Sequence, residues 1–208
     1  MTVVKEACVD NIQDAINAFK KGADRIEFCS NLDEDGLTPS NYDLISLKKS
    51  ISIPVRVMVR PHSNSFNYND DDLIQMKETI KFCKNQKFDG VVFGCLDDDN
   101  ELDLNKIKYL ADFAKPLNVI IHKAIDLTSS PVNSLVKLIE IDNVNGVLSS
   151  GGFETAELGI EVLKKMINIS PNGFEIISAG KITNQNFKIL HEKIEGKFYH
   201  GRKIVGEL

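Results

Sequence analysis

Three short β-branched runs carry ionisable or thiol side chains at every second position. Arg25, Glu27 and Cys29 alternate with Ile26 and Phe28. Arg56, Met58 and Arg60 alternate with Val55, Val57 and Val59, and in the first run Glu6 and Cys8 share a face. Side chains of a strand point alternately to its two faces, so each set lies on one surface of a sheet. Parallel sheets are ordinarily buried on both faces and read as nearly continuous Val, Ile and Leu. Ionisable groups at such positions are costly unless they pair with one another or line a solvated site. Two readings follow. One is a structural ion-pair network joining Glu6 and Glu27 to Arg25, Arg56 and Arg60. The other is a reactive site in which Glu27 or His122 acts as general acid or base. In that site Arg60 and Lys123 hold a carboxylate or phosphate, and Asp126 orients His122 or Lys123.

Two turns add to the second reading. Ser149-Ser150-Gly151-Gly152 precedes a helix, and Ser178-Ala179-Gly180-Lys181 closes a late strand. Loops after late strands of a barrel can aim backbone N–H groups at a phosphate, and such turns are also ordinary helix entries. Arg25, Lys123, Ser150, Gly151 and Gly180 are therefore the candidate substrate contacts. Lys123 has opposite parity to His122 and points toward the helices. The chain has no nucleophile elbow, no H-E-x-x-H and no dinucleotide fingerprint, so no particular reaction is singled out.

The elements that must position these residues alternate. Strand patterns cover 3–8, 25–29, 55–60, 90–94, 118–122, 146–149, 174–178 and 197–200. Helical patterns cover 11–21, 41–49, 70–87, 104–114, 131–141, 154–169 and 184–193. Strand and helix recurring at intervals of about 20 to 30 residues is the signature of a parallel sheet with crossover helices. Eight strands predict closure into a single (β/α)8 barrel of the TIM type spanning 1–208, with an open doubly wound sheet as the alternative. Only eight residues follow His200, so the eighth helix is short or missing, a gap that a homo-oligomer would cover. In such barrels the chemistry sits where the strands end, which places Glu27, Cys29, Arg60, His122 and Asp126 at the mouth.

With 208 residues, 42% of them hydrophobic and 26% charged, the chain suits one soluble domain. A net charge of -5 argues against nucleic-acid binding. No apolar run is long enough to span a membrane, and Met1 to Glu6 lack the pattern of a signal peptide, so a cytoplasmic location is expected. Cys8, Cys29, Cys83 and Cys95 form no C-x-x-C pair; a metal site has to be assembled from distant segments. Cys83 reads as a core residue, His191 as a surface residue and Asp97-Asp98-Asp99 as a solvated loop.

The order Glu6-Ala7-Cys8-Val9-Asp10, Gly22-Ala23-Asp24-Arg25-Ile26-Glu27-Phe28-Cys29 and Gly36-Leu37-Thr38-Pro39-Ser40 resembles the CutC family of copper homeostasis proteins. The likeness continues through Ile53-Pro54-Val55, Arg60-Pro61, Gly90 to Gly94, His122 to Asp126 and Leu148 to Gly151. It implies a TIM-type barrel and an association with copper, with Cys8 and Cys29 at the positions of the family's proposed ligands. Adjacent parallel strands lie about 4.8 Å apart, so two inward thiolates at their ends could hold copper(I), a soft ion satisfied by few sulfur ligands. The chain departs from the family's pattern with Lys123 for arginine, Ile125 for phenylalanine and His62-Ser63-Asn64 for an arginine and paired glycines. The expected function is copper(I) binding in the cytoplasm. The alternative is a barrel enzyme acting on a small anionic or sugar-like metabolite through Glu27, Arg60, His122 and Asp126.

Overall fold

A computed structural model describes residues 2–208. Strands β1 (Val4–Val9), β2 (Arg25–Phe28), β3 (Val55–Met58), β4 (Gly90–Phe93), β5 (Asn118–Ile121), β6 (Gly146–Ser149), β7 (Glu175–Ser178) and β8 (Phe198–Gly201) pair in chain order into one closed parallel barrel. Helices α1 (Ile12–Lys20), α2 (Asn41–Ser50), α3 (Asp70–Asn85), α4 (Leu104–Ala114), α5 (Pro131–Ile139), α6 (Ile160–Ile169) and α7 (Phe187–Ile194) connect them. Among the described residues no helix follows β8, in line with the missing eighth helix. A turn segment takes its place, anchored by the bridge between Thr183 and Lys203 and by the fully buried Ile204.

Local chemistry sets the helix starts. Asn11, Ser40, Asp103 and Ser130 each accept a hydrogen bond from a backbone N–H of the helix they precede. Asn69 and Asp72 form a reciprocal capping box at α3. Each such cap stabilises its helix by about 1 kcal/mol. The helix predicted over 154–169 begins instead at Ile160, as residues 151–159 are held in turns. Ser150 Nα donates to Asp126, the Gly152 amide does likewise, and Ala156 N donates to Gly180 O, so this backbone is tied to neighbouring loops before a helix can begin. Two 3-10 turns, Leu32–Glu34 and Lys123–Leu127, lie in segments that carry no helical period.

The apolar side chains form two layers, as the period-two pattern predicts. Ile26, Phe28, Val55, Val57 and Val59 pack outward against the helices in the larger cluster. Inside the barrel, Cys8, Cys29, Met58, Val92, Ile120, Leu148, Ile177 and Ala179 pack together, with Leu32 and Phe198 against them. The remaining interior volume is polar.

Candidate metal centre in the barrel interior

Glu6, Arg25, Arg56 and Glu175 fill the end of the barrel where the strands begin. Gly146 makes room for this cluster, since a Cβ there would lie 2.4 Å from Glu175 O and 2.8 Å from Glu175 Cβ. Arg56 reaches Glu175 through Nη2 at 2.9 and 3.0 Å and Glu6 through Nη1 at 3.3 Å. Arg25 donates to Glu6 through Nε and to Glu175 through Nη2 at 3.1 Å. Burial opposes the charged form of Glu6, but Arg25, His200 and Arg56 outweigh it and hold its carboxyl well below the usual range. Three of the five residues of the predicted ion-pair network are thus present: Glu6, Arg25 and Arg56 belong to it, joined by Glu175.

Glu27 and Arg60 stand apart from that network. Register places Glu27 beside Cys8 on one side and Arg56 on the other. Its Oε1 accepts from Cys8 Sγ at 3.5 Å and lies 3.9 Å from His200 Nε2, while its Oε2 is buried without a hydrogen-bond partner. Burial raises the Glu27 pKa despite the nearby His200. Cys8 Sγ is 4.0 Å from Cys29 Sγ. The contact with Cys29, burial and the Glu27 carboxylate push the Cys8 thiol well above its ordinary pKa. Arg25 is committed to Glu6 and Glu175 and does not reach the thiol.

His200 completes this group. Its Nδ1 lies 2.9 Å from Glu6 Oε1. An ionised carboxylate only accepts, so Nδ1 carries the hydrogen. Burial disfavours the charged ring, but Glu27, Cys8 and Glu6 prevail and place its pKa well above the usual value. One ligand atom each from Cys8, Glu27 and His200 lie within 4.8 Å of one another, all three residues buried. The sequence reading missed His200 and Glu175 as site residues. The signal was the same alternation: Glu175 and Ile177 share the inward face of β7, and Phe198 and His200 that of β8.

The other predicted residues gather at the mouth. Arg60 has no carboxylate partner; its Nη atoms donate to the carbonyls of Glu34 (2.9 Å), Gly36 (3.2 Å) and Ser63 (3.4 Å), and its guanidinium lies over Phe66. His122 packs against the same ring, with centroids 4.7 Å apart. Asp126 orients neither His122 nor, at 3.9 Å from Nζ, does it make a close pair with Lys123. Its carboxylate instead accepts from Ser149 Oγ, Ser150 N, Ser150 Oγ and Gly152 N at 2.5 to 2.9 Å. Gly151 N donates to Ser149 Oγ. The amides of Ser150, Gly151 and Gly152 are therefore engaged within the protein. Gly180 packs against Ser150 Cβ and Ala156 N, where a Cβ would lie 2.8 Å from each. Lys123 is partly exposed.

A family model described as the CutC family matches residues 3–205. The human copper homeostasis protein cutC homolog is 36% identical over 195 residues, covering 94% of this chain and 71% of the relative. A CutC family protein from Yersinia pseudotuberculosis is 36% identical over 182 residues, covering 86% and 71%. The solved CutC structure from Streptococcus agalactiae superposes with a TM-score of 0.89 at 28% identity, over 98% of this chain and all of that one. A dihydrodipicolinate synthase from Cyanidioschyzon merolae, at 12% identity and a TM-score of 0.66 over 97% of this chain and 70% of its own, shares the fold alone. With a family match over residues 3–205 and a human relative 36% identical over 94% of this sequence, the chain belongs to the CutC family.

Proposed function

We propose that the protein binds copper(I) in the cytoplasm through Cys8 and Cys29. The observation that carries this reading is the 4.0 Å separation of the two sulfurs on neighbouring strands inside the barrel. Copper(I) is soft, and two thiolates satisfy it. The Cys8 thiol is pushed above its ordinary pKa, and coordination by a thiolate releases a proton, as metal binding to cysteine generally does. All four cysteines are free, which fits a reducing compartment. The names of the human and bacterial relatives support a role in copper homeostasis.

A second reading has its own observation. Arg60 is buried without a counter-ion, and His122 Nε2 beside Phe66 has no partner, an arrangement suited to a small carboxylate or phosphate at the mouth. An anaerobic copper(I) competition titration of the wild type, Cys8→Ser, Cys29→Ser and the double variant separates the two. One copper per chain, lost in the double variant, is the expected result. Binding indifferent to both cysteines would overturn the copper reading and leave Arg60 and His122 as the place to look.

A further inference from the structure

Two sulfurs account for copper(I), yet the interior offers two more donors beside one of them, Cys8. The Glu6 carboxylate accepts a hydrogen bond from His200 Nδ1, which turns Nε2 toward Glu27 and Cys8. A metal-ligating imidazole is held in this way, its far N–H given to a carboxylate that fixes the ring. Arg25 and Arg56 fix Glu6 in turn. The Glu27 carboxylate bridges the remaining space, with one oxygen 3.5 Å from Cys8 Sγ and the other unpartnered.

The separations fit one coordination polyhedron. Tetrahedral zinc holds its ligands at about 2.0 to 2.3 Å, which puts neighbouring ligand atoms about 3.4 to 3.8 Å apart. Cys8 Sγ to Glu27 Oε1 is 3.5 Å, Glu27 Oε1 to His200 Nε2 is 3.9 Å, and one ligand atom from each of the three residues lies within 4.8 Å of the other two. Charge points the same way. One thiolate and one carboxylate offset a divalent ion, and a carboxylate oxygen is a hard donor of little use to copper(I).

We propose that Cys8, Glu27 and His200 form a three-donor pocket for a divalent cation of the zinc class, with His200 supplying the nitrogen and water the fourth position. The inference rests on the reading of the cysteine pair as a metal site and adds a second kind of ion to it. Loading breaks no covalent bond other than those to the departing protons of the Cys8 thiol and of Nε2, which pass to water.

Cobalt(II) alone serves as the probe, titrated anaerobically into the full chain and displaced with zinc(II). The wild type is expected to take one cobalt per chain and to show the intense visible bands of a four-coordinate ion, with thiolate charge transfer in the near ultraviolet. His200→Gln is expected to weaken cobalt binding at least about tenfold, the scale on which such histidine shells act, while copper(I), held by sulfur, keeps its wild-type affinity. X-ray absorption of the zinc-loaded wild type, which needs no variant, should find one sulfur and an imidazole nitrogen. A pale six-coordinate cobalt spectrum, or a zinc shell without imidazole, overturns the proposal. If copper(I) still binds through the cysteines in that case, only the divalent site has failed; if copper(I) binding is also indifferent to the cysteines, the underlying reading has failed with it.

Discussion

His122 is a neutral hydrogen-bond donor in the folded protein. Its Nδ1 accepts from Ala124 N at 3.2 Å, so the hydrogen of the neutral ring sits on Nε2, which has no partner. Gly94 makes the space for it, since a Cβ there would lie 2.8 Å from the ring. Burial, and after it the Arg60 guanidinium, push its pKa down to about 3. The unfolded chain takes up a proton below its ordinary value of 6.5, whereas the folded chain refuses it until about pH 3. The contribution of His122 to stability is therefore complete above pH 6.5 and is lost progressively as the pH falls toward 3. Urea unfolding of the wild type between pH 6 and pH 4 should lose up to about 1.4 kcal/mol per pH unit more than His122→Gln does. Equal slopes for the two proteins would mean that the ring is hydrated or charged in the native state.

At the scale of elements, Asp126 links two loops that the sequence presents as separate. It lies in the 3-10 turn after β5, and it organises the segment between β6 and α6 by accepting four hydrogen bonds from Ser149, Ser150 and Gly152. Asp126→Asn keeps one acceptor oxygen and turns an amide NH2 toward donors. A loss of about 2 to 3 kcal/mol is expected, with faster hydrogen exchange at the Ser150 and Gly152 amides. An unchanged urea midpoint would show that the turn holds without the carboxylate. The eight strands and seven helices were legible because their periods and caps are local. The late start of α6 was not, because the cause lies in contacts with Asp126 and Gly180 that no local pattern records. In the same way the alternation in 25–29 and 55–60 identified which side chains face inward. It could not say which of them meet: Arg60 has the parity of Arg56 but lies beyond the floor cluster, bound to carbonyls.

Closure of the barrel brings the last strand against the first, and the candidate site depends on it. Register pairs Glu6 with His200 across the β1–β8 seam, although they are 194 residues apart in the chain. That distance explains why the pair of Cys8 and Cys29 was legible while His200 was not. The seam has no eighth helix to cover it among the described residues. Its cover is the turn after β8, in which Ile204 is fully buried within the outer cluster and Lys203 bridges to Thr183. Ile204→Ala leaves a cavity at that point, and a cost of about 2 to 5 kcal/mol is expected from the removal of a buried isoleucine. Because the seam also sets His200 against Glu6, the loss should appear first in hydrogen exchange at β8 and β1, before the central strands β3 to β5 open. Uniform loss of protection over all eight strands would instead mean that the barrel opens as one unit, with the short C-terminal turn no weaker than any helix-covered seam.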